Sequence, residues 1–283
     1  MLLSVLHLLK KRNQKKDMAD VVLYEKRGHV AIFTLNRPKA MNAVSGEVSQ
    51  MMETYLDQFH ADDSLWVGII CSSHDRVFCA GADLKAVNSG TPIATAKGGF
   101  AGLVQYPLKK PMIAAVDGAA LAGGCEICLA CDLIVASTKS RFGVPEVKRS
   151  LIPAAGGLFR LPQKLPHRIA MELILTGDPI PAERAYHYGF VNRLCGPGES
   201  LTEALKLADA IVANAPIAVR EAKACVDQIR NEGMDDDAAF KRSNQGMRML
   251  SKTPDFKEGP RAFIEKRDPV WTGKPAPPRK SKL

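Results

Sequence analysis

The chain has 283 residues, 46% apolar and 24% charged, the balance of an ordinary globular protein rather than a disordered or fibrous one. No apolar run approaches the ~18–20 residues that cross a bilayer. The net charge of +9 is concentrated in Met1–Asp17 and Lys274–Leu283, so the body between them is near neutral and lacks the basic stripe of a nucleic-acid-binding surface.

Residues 1–17 hold a Leu-rich run, Leu2–Leu9, followed by Lys10-Lys11-Arg12 and Lys15-Lys16. The charge lies on the wrong side of the apolar run for a secretory signal, and no small-residue cleavage site follows. The stretch is expected to be either a poor organellar presequence or an upstream extension before a start at Met18. It is expected to be disordered or loosely helical and without catalytic role.

From Val21 the pattern turns to strands. Val21–Glu25 and Val30–Leu35 alternate and are β-branched, with Arg27-Gly28-His29 as a hairpin turn. Asn36-Arg37-Pro38 breaks the second strand. Ser45 is the expected N-cap of a helix over Gly46–His60, with Met51, Met52, Tyr55, Leu56 and Phe59 at helical spacing. Trp66–Cys71 and Val77–Cys79 read as strands, and Asp83 as the cap of a short helix. Val87–Gly99 has little periodicity and reads as a mobile loop suited to a substrate-shaping wall. Pro111–Val116 is a buried strand, Asp117–Gly124 a small-residue turn, Cys125–Cys131 a helix and Leu133–Ala136 a strand. The alternation predicts α/β architecture with parallel pairing. After Pro153 the pattern is helical, over Leu165–Leu175, Pro181–Tyr188, Ser200–Ala213, Ile217–Glu232, Asp235–Leu250 and Pro254–Glu265. The ends are punctuated by Gly177, Gly189, Pro216, Gly233 and Pro254. The Pro- and Lys-rich tail, 274–283, ends in Ser281-Lys282-Leu283, which reads as a peroxisomal address.

Seven cysteines, an odd number in mostly apolar context, favour reduced thiols in an intracellular compartment. Cys125, Cys128 and Cys131 have a metal-like spacing, but Glu, Ile, Leu and Ala separate them and no fourth ligand is near. Buried structural thiols are the better reading.

Two carboxylates stand in Gly- and Pro-marked apolar surroundings. Glu126 follows Ala122-Gly123-Gly124, whose lack of bulk lets a ligand approach a helix start where N–H groups are unpaired. Spacing leaves it either a helix cap or a catalyst. Ala80-Gly81-Ala82-Asp83 is either a tight turn or a second source of an N–H donor. Glu146, after Gly143 and Pro145 and before Lys148 and Arg149, is either a surface ion-pair partner or the second acid of a proton-moving pair. No GxxxxGKS loop, HExxH pair or GxSxG elbow is present.

Four ordered segments resemble the enoyl-CoA hydratase/isomerase (crotonase) family: Leu35–Ala43, Phe78–Lys85, Val116–Asp132 and Phe142–Gly157. The resemblance runs from about Val21 to Lys274. It implies an α/β crotonase-like spiral of ββα repeats over 18–200, and a C-terminal helical trimerisation region over 201–273 that builds trimers or dimers of trimers. It implies an acyl-CoA thioester whose carbonyl is held by the N–H groups of Ala82 and Gly123, with Glu126 and Glu146 as the two hydratase acids. Substrate contacts are implied at Ala40, Ala80, Ala82, Asp83, Leu84, Lys85 and Gly123. Phe263 and Lys266 match the C-terminal segment that closes on CoA. No metal or separate cofactor is implied, since coenzyme A is part of the substrate. The expected reaction is hydration of trans-2-enoyl-CoA in fatty-acid β-oxidation, in the peroxisome or alternatively the mitochondrion. The alternative is a Δ3-Δ2-enoyl-CoA isomerase or a carnitinyl-CoA-like dehydratase of the same fold. A nucleic-acid-binding member or a catalytically silent subunit fits less well, given the neutral body and the Glu pair. One departure bears on acyl specificity: Leu158 and Phe159 follow Gly156-Gly157 where many short-chain hydratases carry Thr-Gln.

Overall fold

The computed structural model describes residues 20–275; the extension 1–17 and the address Ser281-Lys282-Leu283 lie outside them. Strands β1 (Val22–Arg27) and β2 (Val30–Leu35) form the expected hairpin, Val22 opposite Leu35 and Arg27 opposite Val30. Gly28 makes the turn at φ +54. Helix α1 (Gly46–Ala61) starts where the Ser45 side chain accepts from the Val48 N–H, as its sequence predicts, and buries Val48, Met52, Leu56 and Phe59.

Three successive strand pairs then wind through two sheets. Strands β3 (Val67–Ser72) and β4 (Val77–Cys79) lead to α2 (Leu84–Asn88), capped by Asp83. After a small antiparallel hairpin, β5 (Ala94–Thr95) and β6 (Gly99–Phe100), come β7 (Met112–Val116), β8 (Ala119–Leu121) and α3 (Gly123–Ala130). Then β9 (Leu133–Ser137) and β10 (Arg141–Gly143) run into a 3-10 turn, Pro145–Arg149. In each pair the first strand joins one sheet and the second the other: β3, β7 and β9 are parallel neighbours, and so are β4, β8 and β10. That is a spiral of ββα turns.

Helices α4 (Gly157–Lys164) and α5 (His167–Thr176) follow, then β11 (Ile180–Pro181), α6 (Ala182–His187) and β12 (Arg193–Cys195). The six-stranded sheet is ordered β1-β2-β3-β7-β9-β12 and the four-stranded sheet β11-β10-β8-β4. Alternate residues of the large sheet feed two cores. Ala31, Phe33, Leu35, Ile70 and Ala114 face the spiral interior. Val30, Ile32, Ile69, Ile113 and Val135 face α7 (Ser200–Val212) through Ala204 and Ala208. Beyond α7 the chain is helical: α8 (Pro216–Glu232), α9 (Asp236–Leu250) and α10 (Asp255–Glu265).

Three sequence expectations are corrected. Val87–Gly99 is not a structureless loop: it ends α2, then forms β5 and turns toward β6, tied to α1 where the Glu53 carboxylate accepts from the Gly98 N–H at 2.7 Å and the Ser49 hydroxyl donates to the Ile93 carbonyl at 2.7 Å. Asp117–Gly124 is not one turn: it contains β8, and α3 begins at Gly123 rather than Cys125. The close approach is needed at Gly118, where a Cβ would stand 2.0 Å from the Arg76 carbonyl oxygen. Helix α4 precedes the first helix expected after Pro153, Leu165–Leu175, and carries Pro162 within it.

Candidate active site

The site is assembled from one piece of each spiral turn. At the first turn, Val44 and Ala82 form an isolated parallel bridge: the Val44 N–H donates to the Gly81 carbonyl at 2.8 Å and the Asp83 N–H to the Val44 carbonyl at 2.9 Å. The intervening Ala82 N–H faces the other way and has no acceptor among the described residues. Asp83 caps α2 by accepting from the Lys85 N–H at 3.1 Å, and takes both Arg37 nitrogens on one oxygen at 3.0 Å. Leu84 and Lys85 are exposed beside it, and Ala40 ends a 3-10 turn, Pro38–Ala40, that precedes the left-handed Met41 and Asn42. The buried Asn42 amide donates to Ser72 Oγ at 2.7 Å and to the Phe78 carbonyl at 3.1 Å, tying that segment to the strand before Ala80.

At the second turn, Ala122 adopts φ 52, ψ −129, a conformation disfavoured for any residue with a Cβ. Its N–H donates to the Gly143 carbonyl, and its own carbonyl accepts from both Cys125 and Glu126 N–H, at 2.9 and 3.2 Å. The Gly123 N–H, first of the helix, has no acceptor among the described residues. The two turns touch: a Cβ on Gly81 would meet the Ala122 Cβ at 2.7 Å and the Gly123 nitrogen at 3.2 Å. Two unpaired N–H groups, those of Ala82 and Gly123, therefore belong to adjoining turns. The Phe100 ring covers Gly123, where a Cβ would lie 2.4 Å from it.

The third piece is the carboxylate pair. Glu126, only 3% exposed, sits in the first turn of α3 and accepts the Gly157 N–H on Oε1 at 2.9 Å. Burial raises its pKa, while the Gly157 and Ala155 N–H groups and the Arg160 guanidinium pull the other way. Glu146 lies in the 3-10 turn. Its pKa is pushed up to about 7, mainly by burial, against a bond from its own backbone and with help from the charge of Glu126. Its Oε2 is buried with no partner among the described residues. Glu146 has a buried Oε2 and forms no ion pair among the described residues, so it is not the surface ion-pair partner that its Lys148 and Arg149 neighbours suggest. Lys148 pairs with Asp178 instead. Such an arrangement has polarising donors for one oxygen, a carboxylate held by an N–H and a second carboxyl that carries a proton near neutrality.

Phe263 and Lys266 are not brought to these groups within one chain. They end α10, with Phe263 85% exposed. The start of that helix is held by Asp255 accepting from the Thr272 and Gly273 N–H groups. Trp271 donates to the Ala213 carbonyl on the α7 side of the large sheet. The cysteines of α3 are buried, and no group of three or more His, Cys, Asp or Glu is placed to hold a metal among the described residues. Sequence reasoning missed Asn42, Phe100, Gly157 and Arg160 as site residues. Asn42 alone carried a local signal, the tolerance of Asn for left-handed backbone.

The profile of the family described as Enoyl-CoA hydratase/isomerase matches residues 25–274. The chain is 41% identical to "Enoyl-CoA hydratase EchA19" of Mycobacterium tuberculosis, over 87% of this chain and 94% of the relative. It is 39% identical to "Carnitinyl-CoA dehydratase" of Proteus mirabilis, over 88% and 97%. The crystal structure of an enoyl-CoA hydratase from M. tuberculosis H37Rv superposes with a TM-score of 0.87 at 46% identity, covering 90% of this chain and all of that one. A carnitinyl-CoA hydratase from Mycobacterium avium superposes with 0.72 at 41% identity, covering 91% and 100%.

Proposed function

Because the chain belongs to the enoyl-CoA hydratase/isomerase family, a crotonase-fold hydro-lyase family acting on acyl-CoA thioesters, we propose that it hydrates the 2,3 double bond of trans-2-enoyl-CoA in fatty-acid β-oxidation. The observation that carries this reading is the paired carboxyls, one held by a backbone N–H and one with a pKa near 7, beside two unpaired N–H donors. The thioester oxygen is bound by the Ala82 and Gly123 N–H groups. As negative charge moves onto that oxygen, the two donors supply ~3–4 kcal/mol or more of stabilisation that the ground state does not receive in full. Polarisation makes Cβ electrophilic. Glu126 takes a proton from the water that attacks Cβ, and protonated Glu146 delivers one to Cα. Ala40, Ala80, Asp83, Leu84 and Lys85 line the approach of the CoA portion.

A second reading, dehydration of a carnitinyl-CoA-like 3-hydroxyacyl-CoA, is favoured by the near-equal identity to relatives bearing that name. It uses the same groups in the reverse direction. Purified protein with crotonyl-CoA and longer enoyl-CoAs is expected to lose enone absorbance, and Glu126→Gln and Glu146→Gln each to lower kcat by a factor of ~100 or more. Turnover restricted to carnitinyl-CoA selects the second reading; normal turnover in either Gln variant rejects the paired-acid mechanism.

Ser281-Lys282-Leu283 supports a peroxisomal location. Deleting the three residues is expected to leave a fluorescently tagged protein in the cytosol, and unchanged organelle import rejects that address in favour of another, such as the mitochondrion.

A further inference from the structure

Arg160, in the first turn of α4, points back under the Gly156-Gly157 turn. Its N–H donates to the Gly156 carbonyl at 2.9 Å, and its Nη2 donates to the Val104 carbonyl at 2.7 Å. Nη1 is buried without a partner among the described residues, 2.7 Å from where a Cβ on Gly156 would stand. The guanidinium also lies 5.2 Å from the centre of the Phe159 ring. No carboxylate pairs with it among the described residues. A guanidinium does not deprotonate, and burying one without a counter-charge is costly. A fold keeps such a charge where its field acts on something.

The group on which it acts is Glu126. The titratable and charged residues on the elements packed against Glu126 are Cys79 on β4, Cys125 and Cys128 on α3, Arg160 and Lys164 on α4, and Glu146 on the 3-10 turn. Burial keeps all three thiols protonated, pushing Cys79 up to about 12 and Cys125 and Cys128 higher. Lys164 is coupled to Asp132, Asp227, Lys223 and Arg230, not to Glu126. Burial opposes the charge of Glu126 and the Arg160 guanidinium favours it, whereas Glu146 is raised by burial and by the charge of Glu126 and has no salt-bridge partner among the described residues. The turn that Arg160 anchors also carries the Gly157 N–H bonded to Glu126.

We propose that Arg160 is a positioning residue that divides the proton work between the two carboxyls. It locks the Gly157 N–H onto Glu126 and holds that carboxylate charged, leaving Glu146 to carry the proton. Which carboxyl is base and which is acid is then set by a cation that forms no hydrogen bond to either carboxyl among the described residues. The roles of base and acid rest on the hydratase reading; the charge that Arg160 holds on Glu126 does not.

Arg160→Gln is expected to move the acidic limb of the kcat/KM profile for crotonyl-CoA upward by about half a pH unit or more, about a threefold loss at fixed pH on that limb. Arg160→Lys, which keeps the charge, is expected to leave the limb in place and lower kcat. Equal losses in both variants with an unmoved limb overturn the proposal in favour of packing alone. A readout free of turnover is the pH-dependent infrared carboxyl band of Glu126, assigned by its absence in Glu126→Gln. Its midpoint is expected to rise in Arg160→Gln, or in Arg160→Met should the Gln variant not fold, and an unmoved midpoint overturns the proposal. A rising midpoint in a protein that hydrates no enoyl-CoA rejects the hydratase reading and leaves the role of Arg160 standing.

Discussion

A single side chain, Glu146, carries a conflict between stability and chemistry. Its carboxyl has an ordinary pKa of 4.5 in the open chain and about 7 in the fold, chiefly because burial disfavours its charge. The folded form therefore binds more protons between those values, and stability falls as pH rises from ~4.5 to ~7. Glu146→Gln removes the buried charge. The variant is expected to melt with wild type near pH 4 and above it at pH 8, by about 2–4 °C for each kcal/mol released. Calorimetric scans at the two pH values check this; an unchanged difference between them rejects the raised pKa. Oε2, with no partner among the described residues, is the same conflict seen as a missing hydrogen bond. Ala122 shows it again in the backbone, since its positive φ frees the Gly123 N–H from main-chain pairing.

At the scale of elements, legibility in the sequence followed how local the cause was. Ser45 and Asp83 cap the helices that follow them because the bonded N–H groups lie two or three residues away. The hairpin of β1 and β2 and the helices α5 to α10 have their periodicity and breakers within the segment. The hairpin of β5 and β6 could not be read this way, because Glu53 and Ser49, which hold it, lie some forty residues earlier on α1. Helix α4 starts at a glycine pair whose N–H is taken by Glu126, thirty-one residues away. Single motifs for the site were ambiguous for the same reason. Glu126 read as a cap or a catalyst until Gly157, Arg160 and Glu146 stood around it, and Ala82 read as a turn until Val44 occupied both of its neighbours.

For the whole molecule, the distribution of apolar surface points beyond one chain. Val226 on α8, Phe240 and Met247 on α9, and Phe263 and Ile264 on α10 are all more than half exposed, the last two at 85% and 78%. Exposed large apolar side chains on three consecutive helices are more apolar surface than a monomer ordinarily leaves to water. We propose that this face joins copies of the chain into trimers, which would also bring Phe263 and Lys266 to a neighbouring subunit's thioester. Native mass spectrometry at micromolar concentration is expected to find three chains or six. A monomer that is nonetheless active would refute both the assembly and the CoA-closing role of Phe263.

The successive turns of the spiral contribute separately: Ala82 from the first, Gly123 with Glu126 from the second, Glu146 from the third. Under the proposed hydration, the electron-withdrawing grip on a thioester would belong to peptide groups, which no side-chain substitution removes directly, while the proton handling would belong to two replaceable side chains. A change at residue 126 or 146 would then alter the proton transfer and leave the hold on the thioester in place.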